Sequence, residues 1–292
     1  MTATLIKLKH RSFDQIYLLF WRKVLTRIIP MASLIILLTI LMVYWIDYPY
    51  RAETIRNGVY SLLFLENIHL MQQHADYLLS SSKSIFQHFW ALSIQLQFYL
   101  IYPLIFILFK NKYIFILSSI CLISFFYSVI LVSAQAELAY YHPLARLWEF
   151  GLGGLICLFY QKNIQIRHGM ISALALLAFL LFAFCYPKDF HFPGFSSLFP
   201  VLCACVILLN SAQHPVLSII ANNPVLLWIS KFSFTLYLVH WPILILTKYW
   251  TLNNNIHIST GIGIILSSII LAYLIHIIFD RDGLGNLNNT YK

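Results

Sequence analysis

One apolar segment of the chain opens with the sequence His88-Phe-Trp-Ala-Leu-Ser-Ile-Gln-Leu-Gln-Phe-Tyr-Leu-Ile-Tyr-Pro103. It is suited to a bilayer-spanning helix, yet it carries polar side chains, which are Ser93, Gln95, Gln97, Tyr99 and Tyr102. Polar groups at that depth are costly unless protein, ligand or water satisfies them. Residues four apart share a helix face, so these groups can act together. The pattern predicts either hydrogen bonds between helices or an intramembrane functional site.

The composition indicates an integral membrane protein. Of the 292 residues, 60% are hydrophobic and only 10% are charged, whereas a soluble domain carries about a quarter charged residues. The formal net charge of +9 arises from Lys and Arg at the ends of apolar blocks. Membrane topology explains such residues better than nucleic-acid binding does. We therefore predict an all-α polytopic transmembrane helical bundle in a lipid bilayer, with no nucleic-acid partner.

The apolar blocks predict about eight full spans and one short re-entrant or interfacial helix. The spans are expected at residues 31–46, 89–109, 113–133, 144–161, 169–186, 197–210, 228–250 and 258–279. The short helix is expected at residues 57–70, because about fourteen residues are too few for a comfortable span. If it does not cross, the basic pairs at 110 and 112 and at 162 and 167 fall on the side of the basic N-terminus. That arrangement obeys the positive-inside rule and places both termini in the cytoplasm.

The same reading divides the chain into three regions. Residues 1–29 form a basic amphipathic cytoplasmic segment, with a helix on the membrane surface from residue 14. Residues 30–280 form the transmembrane domain, and residues 281–292 form a short cytoplasmic tail. The loops at 47–88, 134–143, 187–196 and 251–257 are expected to face outward.

Two further stretches place ionisable groups in apolar surroundings. In Arg146-Leu-Trp-Glu149 the charged residues are three apart and can pair on one helix face, and Gly151, Gly153 and Gly154 follow, which allow close helix approach. In the second stretch Ser233, Tyr237 and His240 lie on one helical stripe. The charged pair and the stripe of polar residues can each have a structural or a functional role.

Common catalytic and metal-binding signatures are absent from the sequence. It contains no Gly-x-Ser-x-Gly elbow, no Gly-rich phosphate loop and no His-Glu-x-x-His site. The five cysteines lie within apolar blocks and are interpreted as small buried hydrophobes rather than as metal ligands or disulfides. The residues alone are therefore compatible with either a membrane enzyme or a transporter.

Several stretches resemble one family in the same order along the chain. Trp90-Ala-Leu-Ser-Ile-Gln-Leu-Gln-Phe-Tyr99 resembles the WSLSVEEQFY motif of the acyltransferase 3 family of integral membrane O-acyltransferases. Arg146-Leu-Trp-Glu149 resembles its RxWE segment, and residues 229–242 resemble its GxxSYxLYLxHWP segment. Phe192-Pro-Gly194 with Pro200, and Ile278-Phe-Asp280-Arg281, are similar to its later elements.

The resemblance implies a function and a set of site residues. Family members transfer acyl groups, often acetyl from a cytoplasmic coenzyme A thioester, to sugar hydroxyls of surface polysaccharides. It implies acyl-coenzyme A as co-substrate, a carbohydrate acceptor, no permanently bound cofactor and no metal, in the bacterial inner membrane. The residues it suggests for binding substrate or acyl donor are Arg27, Gln97, Tyr99, Arg146, Glu149, Tyr237 and His240.

The sequence also departs from the family pattern. The family has ten spans, so eight fit if the first two are missing. The family's catalytic histidine lies on the first helix, and no residue here matches it; His240 is a candidate substitute base. Val24 stands where the family has a basic residue, and Gln95 and Leu96 replace its acidic pair.

These departures keep three interpretations open. The first is a membrane O-acyltransferase that is N-terminally truncated, with or without impaired activity. The second is a catalytically inactive remnant or fragment of such an enzyme. The third is a carrier of a lipid-linked sugar, although the sequence lacks the duplicated halves that many transporters show.

Overall fold

The computed structural model of the chain describes residues 2–8, 10–73, 84–109, 112–161, 169–185, 192–210, 215–251 and 257–280. These residues form α-helices joined by turns and short connections. The helices are α1 (Thr2–Lys7), α2 (Phe13–Lys23), α3 (Ile29–Trp45), α4 (Arg51–Leu62), α5 (Glu66–Gln72), α6 (Phe89–Leu108), α7 (Tyr113–Ala134), α8 (Ala136–Tyr141), α9 (Pro143–Gln161), α10 (Gly169–Cys185), α11 (Gly194–Asn210), α12 (Pro215–Ala221), α13 (Pro224–Thr251) and α14 (Ile258–Asp280). The described part of the chain is all-α, as predicted.

Each predicted span coincides with a helix, within a few residues at either end. Among the described residues, five helical segments are long and apolar enough to cross a membrane: Phe13–Trp45, Phe89–Leu108, Tyr113–Ala134, Pro224–Thr251 and Ile258–Ile278. Two shorter apolar helices cover Met170–Cys185 and Gly194–Leu209. The protein is thus a polytopic helical membrane protein, and the count of eight full spans stays a prediction.

The helix expected at residues 57–70 is in fact two helices. Helix α4 begins at Arg51, and the chain leaves it at Leu63 before α5 begins at Glu66. Phe64 lies between them with φ of 55°, a left-handed conformation that ends the first helix. The helix predicted from residue 14 begins at Phe13, and α2 continues through a π-helical turn at Val24–Ile28 into α3. Its location on the membrane surface stays a prediction.

The chain forms two compact units. The first comprises the described residues of Met1–Phe20, Met71–Leu78 and Ile94–Leu226. In this unit α7 packs against α9, and α11 packs against both. The Ser124 hydroxyl joins α7 to α9, because it donates to the Leu144 carbonyl at 2.6 Å and accepts from the Trp148 amide at 3.0 Å.

Two of the three glycines on α9 lie where a neighbouring side chain approaches closely. A Cβ added to Gly151 would collide with the Cys121 sulfur, and one added to Gly154 would collide with the Tyr102 hydroxyl. Among the described residues, nothing lies within 4 Å of a Cβ added to Gly153. Close helix approach, predicted for all three positions, therefore holds for Gly151 and Gly154 only.

The second unit comprises the described residues of Trp21–Leu70, Leu79–Ser93 and Leu227–Lys292. Its core joins residues of α3, of the start of α6, of α13 and of α14 in one apolar cluster. The fully buried members are Ala32, Phe86, Phe89, Leu238 and Ala272. Helix α4 packs on α3, where Gly58 sits against the Ile40 and Phe86 side chains. This core fixes the turn before α6 and the middle of α13, which carry the candidate site.

Candidate functional site

The candidate site of the second unit begins with a proline in α13. Pro242 has no backbone N–H, so the carbonyl of Leu238, four residues earlier, lacks its usual helical donor. His88, in the turn before α6, supplies the missing donor: its Nε2–H donates to the Leu238 carbonyl at 3.1 Å. The Tyr237 hydroxyl donates to the backbone carbonyl of His88. Two hydrogen bonds thus hold His88 against α13.

The ring of His240 lies beside that of His88. Their centroids are 5.8 Å apart, and the planes meet at 74°. The Nδ1–H of His240 donates to the Tyr237 carbonyl at 2.7 Å. Because Nδ1 carries the proton, Nε2 of His240 keeps the lone pair in the neutral ring. That nitrogen can therefore accept a proton from a bound hydroxyl.

His88 itself is held neutral. It is 3% exposed, and burial lowers its pKa well below the usual range, with the neighbouring His240 lowering the pKa further. Its Nε2–H is used by Leu238, and its Nδ1 has no hydrogen-bond partner among the described residues. A neutral ring beside His240 avoids placing a positive charge next to the candidate base.

Ser233 does not belong to this cluster, although the sequence placed it on one stripe with Tyr237 and His240. Helix α13 is interrupted at Phe232, whose φ is −115° and ψ is 15°. Ser233 is exposed, and its hydroxyl donates to the Ser230 carbonyl at 3.0 Å within the same helix. The interruption lies before Ser233 and leaves the spacing of Ser233, Tyr237 and His240 regular. Ser233 is set apart by its exposure and by its bond to Ser230.

The first unit holds the ion pair that the sequence predicted. Arg146 Nη1 lies 2.9 Å from Glu149 Oε1 on α9, and the two side chains are 5% and 24% exposed. Arg146 Nε also donates to the Tyr140 carbonyl at 3.2 Å. Its guanidinium lies 4.9 Å from the centroids of both the Tyr140 and Phe192 rings. The arginine is therefore compensated within the protein by charge and by two aromatic faces.

The polar residues of α6 are satisfied largely within that helix. The Ser93 hydroxyl donates to the Phe89 carbonyl at 2.9 Å. In the first unit, the Gln95 amide donates to the Tyr99 hydroxyl at 2.6 Å, as their spacing of four allows. The Tyr99 ring contacts Phe20 edge to face, with centroids 5.7 Å apart. Gln97 is half-buried on the same helix. The predicted roles of Gln97 and Tyr99 in binding stay predictions.

Arg27 lies in the π-helical turn at Val24–Ile28, and its side chain falls outside the described residues. The structure thus brings Tyr237 and His240 together and pairs Arg146 with Glu149.

Sequence reasoning missed four residues that belong to the second unit. His88 was part of the stretch that decided the fold, but no role was assigned to it. Asn57, His69 and Ser84 form a hydrogen-bonded group, with His69 bonded to Asn57 and Asn57 bonded to Ser84. The available signal was the concentration of polar side chains within the short apolar stretch at 57–70.

Comparison with known proteins identifies the class. The family model described as "Acyltransferase domain", acyltransferase 3, matches residues 8–277. The chain belongs to this family. The match spans both the histidine pair and the ion pair.

Relatives agree with this assignment. The chain is 25% identical to the "Putative membrane-bound transacylase BcsY" of Komagataeibacter xylinus, over 91% of this chain and 69% of that protein. It is 23% identical to the O-acetyltransferase OatA of Staphylococcus aureus, over 93% of this chain and 48% of OatA. The chain thus spans about half the length of OatA. No solved structure matches the chain.

Proposed function

We propose that this protein is a membrane O-acyltransferase that moves an acetyl group from acetyl-coenzyme A to a sugar hydroxyl of a cell-envelope polysaccharide. The family match over residues 8–277 carries the proposal. The similarity to OatA, which is named an O-acetyltransferase, favours acetyl as the group and a hydroxyl as the acceptor. We place the protein in the bacterial inner membrane with both termini cytoplasmic, as the basic residues favour.

The histidine pair supports a chemical route for this transfer. An acceptor hydroxyl oxygen attacks the thioester carbonyl carbon, the new C–O bond forms, and the C–S bond breaks. The hydroxyl proton passes to Nε2 of His240 and then to the departing thiolate sulfur, which leaves as coenzyme A thiol. The Tyr237 carbonyl keeps the His240 ring in the orientation and tautomer that this proton transfer requires, and the Tyr237 hydroxyl holds His88 beside it.

The charged residues suit the binding roles that the resemblance implies. Arg27 would hold donor phosphates, because a guanidinium forms bidentate bonds with phosphate oxygens. Arg146 is bonded to Glu149 and stacked on aromatic rings. Glu149 is partly exposed, and a carboxylate can accept hydrogen bonds from the hydroxyls of a sugar. Substrate binding is the role proposed for Glu149.

A second candidate function is that of a family member without catalytic activity. One observation favours it: Gln95, in the place of an acidic residue of the family motif, is already committed to the Tyr99 hydroxyl. An amide cannot form the charge-assisted bonds of a carboxylate, which are worth roughly 1.5–3 kcal/mol each.

The test is acyl transfer by the purified full chain in lipid nanodiscs. The donor is radiolabelled acetyl-coenzyme A, and the acceptors are oligosaccharides of glucose and of N-acetylglucosamine. Labelled ester on an acceptor, released by mild alkali, supports the acyltransferase. If donor binds without transfer to any acceptor, the inactive alternative is favoured. Movement of a lipid-linked sugar across vesicles without ester formation would instead indicate the carrier.

A further inference from the structure

A buried hydrogen-bonded network lies next to the histidine pair within the second unit. His69 Nε2–H donates to the Asn57 side-chain carbonyl at 2.9 Å, and the Asn57 amide donates to the Ser84 hydroxyl oxygen at 2.8 Å. Both ends of the Asn57 side chain are therefore occupied. The network joins α4 and α5 to the segment that precedes α6.

Burial, ring stacking and hydrogen bonding restrict the movement of this network. Asn57 and His69 are both buried, and the Tyr60 ring stacks on the His69 ring at 4.1 Å with an interplanar angle of 7°. Buried polar groups that are fully bonded have few alternative arrangements, because breaking one bond leaves its partner unsatisfied. The position of the Ser84 hydroxyl is consequently fixed by α4 and α5.

Ser84 is also hydrogen-bonded to the turn that carries His88. Its hydroxyl oxygen accepts from the Phe86 amide at 3.2 Å. Its carbonyl accepts from the Gln87 amide at 3.1 Å and from the indole N–H of Trp241 at 3.0 Å. Trp241 follows His240 directly on α13. Ser84 is thus bonded both to the turn that ends at His88 and to the residue next to His240.

We propose that Asn57, His69 and Ser84 are positioning residues for the His88–His240 pair, an inference that rests on the proposed acyl transfer. They do not touch the reacting atoms. They set the distance between the two rings by holding the turn at residues 85–88 against α13. A shift of about 1 Å in a catalytic group can cost about a hundredfold in rate, so a network that is bonded to the residue next to the base can control turnover.

The experiment compares Ser84→Ala with Ser84→Thr in the full chain in nanodiscs. Ser84→Ala removes the hydroxyl that links Asn57 to the turn, whereas Ser84→Thr keeps it. Thr54→Val on α4 is the matched control, because the Thr54 hydroxyl donates to the Tyr50 carbonyl at the start of the same helix. Each variant is tested for thermal stability, for kcat and KM with radiolabelled acetyl-coenzyme A across pH, and for labelling of single histidines by diethyl pyrocarbonate.

We expect Ser84→Ala to lower kcat about ten- to a hundredfold with little change in KM, since geometry rather than binding is lost. The acidic limb of its pH profile should move to lower pH. His88, which otherwise faces Tyr237 and His240, gains water and can then be protonated, and its positive charge opposes protonation of the base. His88 should become labelled in Ser84→Ala, stay unlabelled in the wild type, and be protected again in Ser84→Thr.

Failure of this inference is separable from failure of the proposed function. If the wild type transfers acetyl groups and Ser84→Ala keeps the wild-type kcat and pH profile, the positioning role is wrong. If the wild type transfers nothing, the proposed acyltransferase function is wrong, and the labelling experiment alone tests the positioning role. Exposure of His88 in Ser84→Ala but not in Ser84→Thr then supports it, and unchanged labelling overturns it. Asn57→Asp, which keeps the acceptor for His69, provides the same comparison should Ser84→Ala not fold.

Discussion

The imidazole rings of His88 and His240 lie 5.8 Å apart in the second unit, although 152 positions separate them in the chain. Pro242 makes this arrangement possible, because its missing N–H leaves the Leu238 carbonyl open to His88. The pair combines a buried neutral ring with a partly exposed one whose Nε2 can accept a proton. This relationship gives the proposed acyltransferase its candidate base.

Replacement of His240 is the direct test of that base. His240→Ala should lower acetyl transfer by about 10²–10⁴-fold, the usual contribution of a general base, without loss of folded protein. Transfer of radiolabelled acetyl in nanodiscs measures it. His257→Ala is the control, since this histidine is exposed at the start of α14. Undiminished transfer by His240→Ala would remove His240 from the mechanism.

The Arg146–Glu149 pair should matter for stability. Glu149→Gln leaves the guanidinium buried without its carboxylate, which should cost about 1–3 kcal/mol. Thermal unfolding in detergent, followed by circular dichroism, measures the loss. Glu137→Gln, on exposed Glu137 of α8, should change stability little. Equal melting temperatures for the two variants would show that the aromatic faces alone compensate Arg146.

The glycines of α9 offer a matched pair of substitutions. Gly154→Ala places a methyl group against the Tyr102 hydroxyl and should destabilise the protein by about 1–3 kcal/mol. Gly153→Ala meets open space and should be neutral or stabilise by up to about 1 kcal/mol through helix propensity. The melting temperatures of the two variants, measured side by side, test this difference in stability. A stable Gly154→Ala protein would mean that α9 and the Tyr102 side chain separate readily.

Glu66 should make stability depend on pH. It is fully buried, and among the described residues neither carboxyl oxygen has a hydrogen-bond partner. Burial raises the pKa of Glu66 to about 8, while Ser61, close by but without hydrogen-bond geometry, lowers the pKa slightly. The folded state binds a proton that the unfolded chain releases, so stability falls as pH rises from about 4.5 towards 8.

Glu66→Gln removes this dependence, because an amide has no proton to lose. The variant should melt several degrees higher than the wild type at pH 8 and differ little at pH 4.5. Thermal unfolding at a series of pH values measures the difference, with exposed Glu53→Gln as the control. Parallel curves for Glu66→Gln and the wild type would show that Glu66 ionises without cost.

The substitution at Gln95 should limit catalysis. In Gln95→Glu the Tyr99 hydroxyl can donate to a carboxylate, a bond about twice as strong as its neutral counterpart. We expect transfer to rise about tenfold or more, and Gln95→Met to show no rise. Initial rates of transfer measure it. The second acid of the family pair is not restored, because Leu96 is 5% exposed and a carboxylate at that position would be buried. Equal rates for wild type and Gln95→Glu would show that the missing acid is not limiting.

The sequence by itself determined the class of protein, the positions of the long apolar helices and the ion pair of α9. These features are local: an apolar block of suitable length must be helical in a membrane, and residues three apart share a helix face. The same reasoning identified the stretch from His88 to Pro103 and the residues Tyr237 and His240.

Only the tertiary structure decided which polar groups meet. The contact of His88 with α13, the link from Asn57 to Ser84 and the difference between Gly153 and Gly154 all depend on neighbours distant in the chain. Helical periodicity assigns a side chain to a face but says nothing about what packs on that face. It also assumes an unbroken helix, and the break at Phe64 separates α4, which carries Asn57, from α5, which carries His69.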